Sequence, residues 1–181
     1  IKENNQLLNN LENVKWVEPY LKPRMTEFLT ELEDWCISRT RTWGTPIPIW
    51  VSDDFEEVVC IGSKEELMEL SGVQSLEDFS IQTLDKITIP SKLGKGNLRR
   101  VNEVFDSWVE SSCLPFFLNK QVPADFVIEG LDQTRGWFYT LNILSTALSG
   151  SPAFKAALGN GLVVIEQKKL ARTNKEPTLN E

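Results

Sequence analysis

The chain has 181 residues, 41% of them hydrophobic and 25% charged, which is the composition of an ordinary globular protein. No apolar run approaches the roughly 20 residues a membrane span needs, and a formal net charge of −7 leaves no overall positive field to gather DNA or RNA. The complete lack of histidine excludes imidazole as base, nucleophile or ligand within the chain. Cys36, Cys60 and Cys113 are too few and too widely spaced for a zinc knuckle or a disulfide framework, so they read as buried or half-buried thiols in a reducing compartment. The first residues look like neither a signal nor a transit peptide. A start at Ile1 rather than Met reads as a segment of something longer.

In chain order, residues 1–17 are polar and rich in Asn and Leu, and read as a linker or short strand. An amphipathic helix is expected from Pro23, with Phe28, Leu29, Leu32, Trp35 and Cys36 on one face. The run from Trp43 to Pro48 must be irregular, because two prolines and a glycine stop a helix. Ile49-Trp50-Val51 reads as a strand with an antiparallel partner over 57–61. Ser63 with Glu66 forms a capping-box pattern for a helix that ends near Gly72, and Ser75 with Asp78 opens a second, short one. A strand over 86–89 and a Gly/Lys-rich loop over 90–97 follow. The last third reads as a strand at 125–128, a long helix over 132–148, a helix opened by Ser151-Pro152, and a strand at 162–165. That order is one crossover of a parallel α/β sheet.

In such sheets ligands sit beyond the carboxyl ends of the strands, which points to Glu129–Gln133 and to the loop beginning at Glu166. In the first, Gly130 lets backbone approach a ligand, Asp132 is a candidate N-cap, and Glu129 and Gln133 would flank the crevice. Carboxylates there suit ribose hydroxyls or an ammonium group; the plainer reading is a capped helix start. In the second, Gln167-Lys168-Lys169-Leu170-Ala171-Arg172-Thr173 could clamp a phosphate chain or be a solvated basic turn. Arg39 and Arg41 suit structural ion pairs, and Trp108 and Trp137 would ordinarily be core aromatics.

Taken together, these segments resemble the isoleucyl-tRNA synthetases, a class I aminoacyl-tRNA synthetase family. The resemblance runs through Trp35-Cys36-Ile37-Ser38-Arg39, Arg41, Trp43-Gly44 and Pro46-Ile47-Pro48, then Ile89-Pro90-Ser91-Lys92 and 94–100. It continues through Phe105-Asp106, Trp108, residues 129–138 and Lys169–Thr173, the last standing where the family carries its mobile Lys-Met-Ser-Lys-Ser loop. The segment over 89–100 looks like the cytosolic eukaryotic branch. The runs over 44–48 and 132–137 are more like the isoleucine enzyme than its valine and leucine neighbours. Thr40, Thr42, Ser112 and Arg172 depart from the family pattern, Ser112 standing where a glycine is usual and Arg172 in place of a second lysine.

The resemblance implies an α/β fold: the second half of a Rossmann-like parallel-sheet catalytic domain with a small α+β connective insertion. It implies residues 1–48 returning from an editing domain, 49–100 as the insertion, and 101–181 as catalytic core ending in the pyrophosphate loop. It implies activation of isoleucine by ATP, accompanied by Mg2+, and transfer to tRNA(Ile). Glu129, Gly130 and Asp132 would hold the adenylate and Gln133 its aminoacyl end, with Trp108 and Trp137 walling the isoleucine side chain. Backbone around Leu162 and Val163 would meet adenine, and Lys169 and Arg172 would stabilise pyrophosphate as it leaves. No protein metal site, DNA or membrane partner is implied; a cytoplasmic location is, with a multi-synthetase complex if the source is eukaryotic. Two alternatives stay open: a non-catalytic remnant serving as a binding module, and another class I synthetase of the valine/leucine group.

Overall fold

The computed structural model describes residues 4–31, 34–118, 122–161, 164–165 and 168–169. In chain order the elements are α1 (Asn4–Glu12), β1 (Lys15–Trp16), α2 (Leu21–Thr30), β2 (Ser38–Arg39), β3 (Ile49–Val51) and β4 (Val58–Cys60). Next come α3 (Lys64–Ser71), α4 (Ile81–Leu84), β5 (Thr88–Pro90), β6 (Asn97–Arg100) and β7 (Val104–Phe105). The chain continues with α5 (Ser107–Phe117), β8 (Val127–Gly130), a 3-10 turn (Leu131–Arg135), α6 (Trp137–Ser149), β9 (Ala156–Asn160), β10 (Val164–Ile165) and β11 (Lys168–Lys169). They fall into two compact units, one of residues Ile1–Asp34 with Ser111–Glu181 and one of Trp35–Glu110.

The first unit is built on a parallel sheet of order β1-β9-β8, with Val127 to Gly130 opposite Ala157 to Asn160. β8, α6 and β9 form one βαβ crossover, as the α/β reading requires. Its core gathers Leu7 and Leu11 of α1, Leu21, Met25 and Leu29 of α2, and Phe138 and Leu141 of α6. Trp16 stands edge-on to Phe138 and Phe154, with ring centroids 6.1 and 5.9 Å away. Each fully buried side chain of this size contributes about 1.5–3 kcal/mol, so the aromatic trio and the buried leucines together hold the helices on the sheet.

Several expected boundaries are corrected here. The supposed linker at the start is α1, whose Leu7 and Leu11 lie one turn apart on the buried face. α2 begins at Leu21, before Pro23, which sits in the first turn where its missing N–H costs nothing. The buried stripe is Leu21, Met25 and Leu29; Phe28 is half-buried, Trp35 and Cys36 lie beyond the helix, and Leu32 lies outside the described residues. The long helix expected from Asp132 is divided by Gly136 into the 3-10 turn and α6. No helix follows Ser151-Pro152: Gly150, at φ 70°, ends α6, and Ala153 and Phe154 enter the core directly. The second parallel strand is therefore β9, not 162–165. Burial against α2 and pairing with β8 override the weak strand propensity of Ala156-Ala157-Leu158-Gly159.

The second unit holds an antiparallel sheet of order β4-β3-β6-β5 over a core of Trp50, Leu67, Leu84, Ile87, Ile89 and Leu98. The pairing of Ile49–Val51 with 58–60 and the Ser63 cap follow the sequence reading: Ser63 Oγ accepts from Glu66 N–H at 3.1 Å, and Gly72 closes α3 at φ 75°. The next helix starts later than expected, at Ile81, because Ser80 is its cap; Asp78 instead accepts from Ser80 N–H at 2.8 Å. The Gly/Lys-rich loop is fastened from beneath by Glu57. Its buried carboxylate accepts from the Ser91 hydroxyl and from Lys92 N–H at 2.9 Å, and these bonds hold its pKa below the ordinary value despite the opposing effect of burial.

Candidate functional site

The carboxyl ends of β8 and β9 lie side by side, with Glu129 opposite Gly159 and Gly130 opposite Asn160. Glu129 and Gly130 are half-buried there. A Cβ on Gly130 would stand 2.5 Å from Asp132 Oδ1, so a side chain there would push the Asp132 carboxylate out of its place over the turn. The exit is a 3-10 turn that presents Asp132 to solvent while burying Thr134 completely.

Asp132 does not cap α6. Gln133 does: its Oε1 accepts from Trp137 N–H at 2.8 Å, and its Nε2 donates to Asp132 Oδ2 at 3.2 Å. The amide is thus oriented at both ends, its oxygen toward the helix N-terminus and its nitrogen toward a carboxylate. Trp137 is half-buried against the core, and its indole N–H donates to the Ser111 carbonyl at 3.3 Å. Ser112 of α5 forms a buried hydroxyl pair with Thr140 of α6 at 2.8 Å and does not adopt positive φ, so this helix position needs no glycine.

Two further side chains fix the crevice. Glu18, just past β1, accepts from Gly159 N–H at 2.9 Å and so ties the end of β9 to the turn that opens α2. A Cβ on Gly159 would meet the buried Leu21 at 2.6 Å. Arg24 of α2 donates through Nε to Thr134 Oγ1 at 3.1 Å, and Arg135 lies 4.0 Å over the Phe28 ring. Neither Glu18 nor Arg24 was legible as a site residue, since their partners lie 141 and 110 positions away.

The remaining expected positions are more dispersed. Trp108 belongs to the second unit, where it is 40% exposed in the first turn of α5. Beside it Asp106 is buried and accepts from Trp108 N–H at 3.0 Å, from the Trp35 indole at 3.1 Å and from Arg39. Burial pushes its carboxyl pKa up, but the Trp108 and Trp35 hydrogen bonds and the charges of Arg39 and Arg41 outweigh that and hold it below the usual value. Arg39 is therefore a structural ion-pair partner, as its sequence context implied. Lys169 pairs through its backbone with Val164 in the antiparallel β10–β11 pair, and so lies in a short strand. Leu162, Val163 and Arg172 lie outside the described residues. Among the described residues no group of three or more Asp, Glu, His or Cys could hold a metal ion.

Comparison with known proteins fits this architecture. The profile of the tRNA synthetases class I (I, L, M and V) matches residues 2–177. An isoleucine–tRNA ligase of Tetrahymena thermophila is 49% identical over 93% of this chain and 17% of its own length. The cytoplasmic isoleucine–tRNA ligases of Saccharomyces cerevisiae and Arabidopsis thaliana are 46% and 51% identical, over 94% and 92% of this chain and 17% and 15% of theirs. The chain thus spans about one sixth of the length of these relatives. A leucyl-tRNA synthetase of Agrobacterium radiobacter K84, solved as a ternary complex with tRNA and LeuAMS, has a similar fold. Its TM-score is 0.54 at 18% identity, covering 78% of this chain and 21% of that one. A family profile over nearly the whole chain, relatives near half identity and a parallel α/β sheet converge: the chain belongs to the class I tRNA synthetases of the isoleucine, leucine, methionine and valine group.

Proposed function

We propose that this chain forms part of an isoleucine–tRNA ligase and supplies one side of its isoleucyl-adenylate site. In that reaction an isoleucine carboxylate oxygen attacks the α-phosphorus of ATP, which enters as its Mg2+ complex, and pyrophosphate leaves. The acyl group then passes to the 3′-terminal ribose of tRNA(Ile). No enzyme nucleophile is needed, because the work is positioning and stabilisation of charge on the phosphate. The observation that carries the reading is the parallel pairing of β8 with β9, which puts Glu129 and Gly130 at the carboxyl end of the sheet with the Asp132 carboxylate folded over the glycine.

In this reading Glu129 and Asp132 accept from the adenylate ribose while Gly130 gives it room. Gln133 faces the aminoacyl end with an amide already oriented by Asp132 and the α6 N-terminus. Trp108 and Trp137 wall the isoleucine side chain, Leu162 and Val163 offer backbone to adenine, and Lys169 and Arg172 stabilise the leaving pyrophosphate. Residues 1–48 would return from the editing domain, 49–100 would be the connective insertion, and 101–181 the second half of the catalytic core. Cytoplasmic residence, as in the names of several relatives, belongs to the same proposal.

A chimera tests it. The matching stretch of the Saccharomyces cerevisiae relative is exchanged for this chain, and isoleucine-dependent pyrophosphate–ATP exchange is measured. Exchange is expected, with a fall of about 100-fold on Glu129→Gln from loss of a charge-assisted hydrogen bond to the ribose. A folded chimera without exchange would favour the non-catalytic reading, whose support is the departure at Arg172.

A further inference from the structure

The turn that carries Asp132 and Gln133 has little of its own to hold it in place. It is a short stretch of 3-10 helix, Leu131–Arg135, set between Gly130 and Gly136. A 3-10 turn has poorer hydrogen-bond geometry than an α-helix, and neither flanking glycine adds a side chain to pack. Yet the adenylate reading asks most of this segment, because Asp132 and Gln133 must stand at fixed places beside the ribose and the aminoacyl group. What fixes them is α2.

Arg24 and Phe28 lie one turn apart on α2 and so share a face. They grip consecutive residues of the 3-10 turn: Arg24 Nε donates to Thr134 Oγ1 at 3.1 Å, and the Arg135 guanidinium lies 4.0 Å over the Phe28 ring. Thr134 is fully buried, and its hydroxyl is used in both directions, accepting from Arg24 and donating to the Leu131 carbonyl at 3.1 Å. The turn is thereby pinned at its first residue and its last two. Between them, Gln133 holds the amides that follow: its carbonyl accepts from Gly136 N–H at 3.0 Å and its Oε1 from Trp137 N–H at 2.8 Å. Leu21, Met25 and Leu29 sink the same helix into the core, so Arg24 and Phe28 stand on a fixed element. All of these groups belong to the first unit, and Thr134 is buried by this chain's own residues.

We propose that Arg24 is a positioning residue of the adenylate site: acting through the Thr134 hydroxyl, it sets where the Asp132 carboxylate and the Gln133 amide stand. The inference rests on the ligase reading for what those two groups hold; the tie between α2 and the turn does not. Groups placed by supporting hydrogen bonds lose that placement when the support goes, and a displacement of about 1 Å at a reacting site costs about 100-fold in rate. The atom that matters is Nε, not the charge. Glutamine carries its amide nitrogen the same number of bonds from the backbone as Nε, and methionine puts a methyl carbon there.

The test uses the full-length chimera carrying this chain. Arg24→Met should raise KM for isoleucine about tenfold and lower kcat of pyrophosphate–ATP exchange about 10- to 100-fold, while Arg24→Gln restores most of both. Thr134→Val should match Arg24→Met, and Thr134→Ser should match the parent chimera. A merely structural role would reduce the amount of folded enzyme and leave KM unchanged. Hydrogen exchange gives a second readout. The Gly136 and Trp137 amides should exchange about tenfold faster in Arg24→Met, from loss of one charge-assisted bond, with the β9 amides as in the parent. An Arg24→Met chimera with the parent's KM and amide exchange overturns the proposal, as does Arg24→Gln as impaired as Arg24→Met, or faster exchange throughout the first unit. A parent chimera without pyrophosphate–ATP exchange sinks the ligase reading by itself. The Gly136 and Trp137 amides still decide the tie in that case: faster local exchange upholds it, and unchanged exchange overturns it.

Discussion

Replacing Asp106 by Asn tests the electrostatic account of the second unit most directly. The carboxylate has a side-chain exposure of 7%; one oxygen serves Trp108 N–H, and the other serves both Trp35 and Arg39. Asparagine keeps one acceptor and turns an NH2 group toward donors, leaving at least one buried N–H unmatched at about 1–3 kcal/mol. The lost pairing with Arg39 adds only about 1 kcal/mol, because that guanidinium is one-third exposed and water partly replaces the carboxylate. The sum is about 3 kcal/mol. Because the folded pKa is depressed, the contribution is fully present above the unfolded value near 4 and is lost as pH falls through the folded value. Urea unfolding, with exchange of the Phe105 and Asp106 amides to read the second unit, should show about 3 kcal/mol between wild type and Asp106→Asn at pH 7. The gap should narrow as the pH is lowered from about 5 toward 2. A difference under about 0.5 kcal/mol at pH 7, or one independent of pH, would refute the reasoning.

Two further outcomes follow from packing and thiol environment. Phe138→Ala removes the ring that meets both Trp16 and Phe154, and should destabilise the first unit by about 3–5 kcal/mol, read by near-ultraviolet circular dichroism during denaturation. Among the thiols, Cys36 and Cys60 are exposed, contrary to the burial their type suggested, and only Cys113 is half-buried; hydrogen bonding with Ser38 lowers the pKa of Cys36, whereas burial raises that of Cys113. Mass-resolved maleimide labelling at neutral pH should therefore modify Cys36 first and Cys113 last, by about tenfold or more; a reversed order would contradict the described burial.

Short-range signals were legible in the sequence. The Ser63 cap, the Gly72 stop, the Ile49–Val51 strand and the Glu129–Gln133 turn each depend on residues within a few positions, so pattern and stereochemistry suffice to find them. The class of fold was legible for the same reason, as a strand and a helix in the order of a crossover. Tertiary structure alone decided what long-range pairing decides. It made a helix of the Asn-rich start, because Leu7 and Leu11 find α2 and α6. It moved the second parallel strand to 156–160, where small residues let Leu21 close on Gly159. It gave the hydrogen bond at the start of α6 to Gln133, where the sequence pointed to Asp132. It brought Glu18 to Gly159 and Arg24 to Thr134, contacts between segments more than a hundred residues apart that no local period encodes. And it left Trp43, which its type alone would assign to a core, exposed beside Gly44, whose backbone lies so close on the buried Val104 that only glycine fits there.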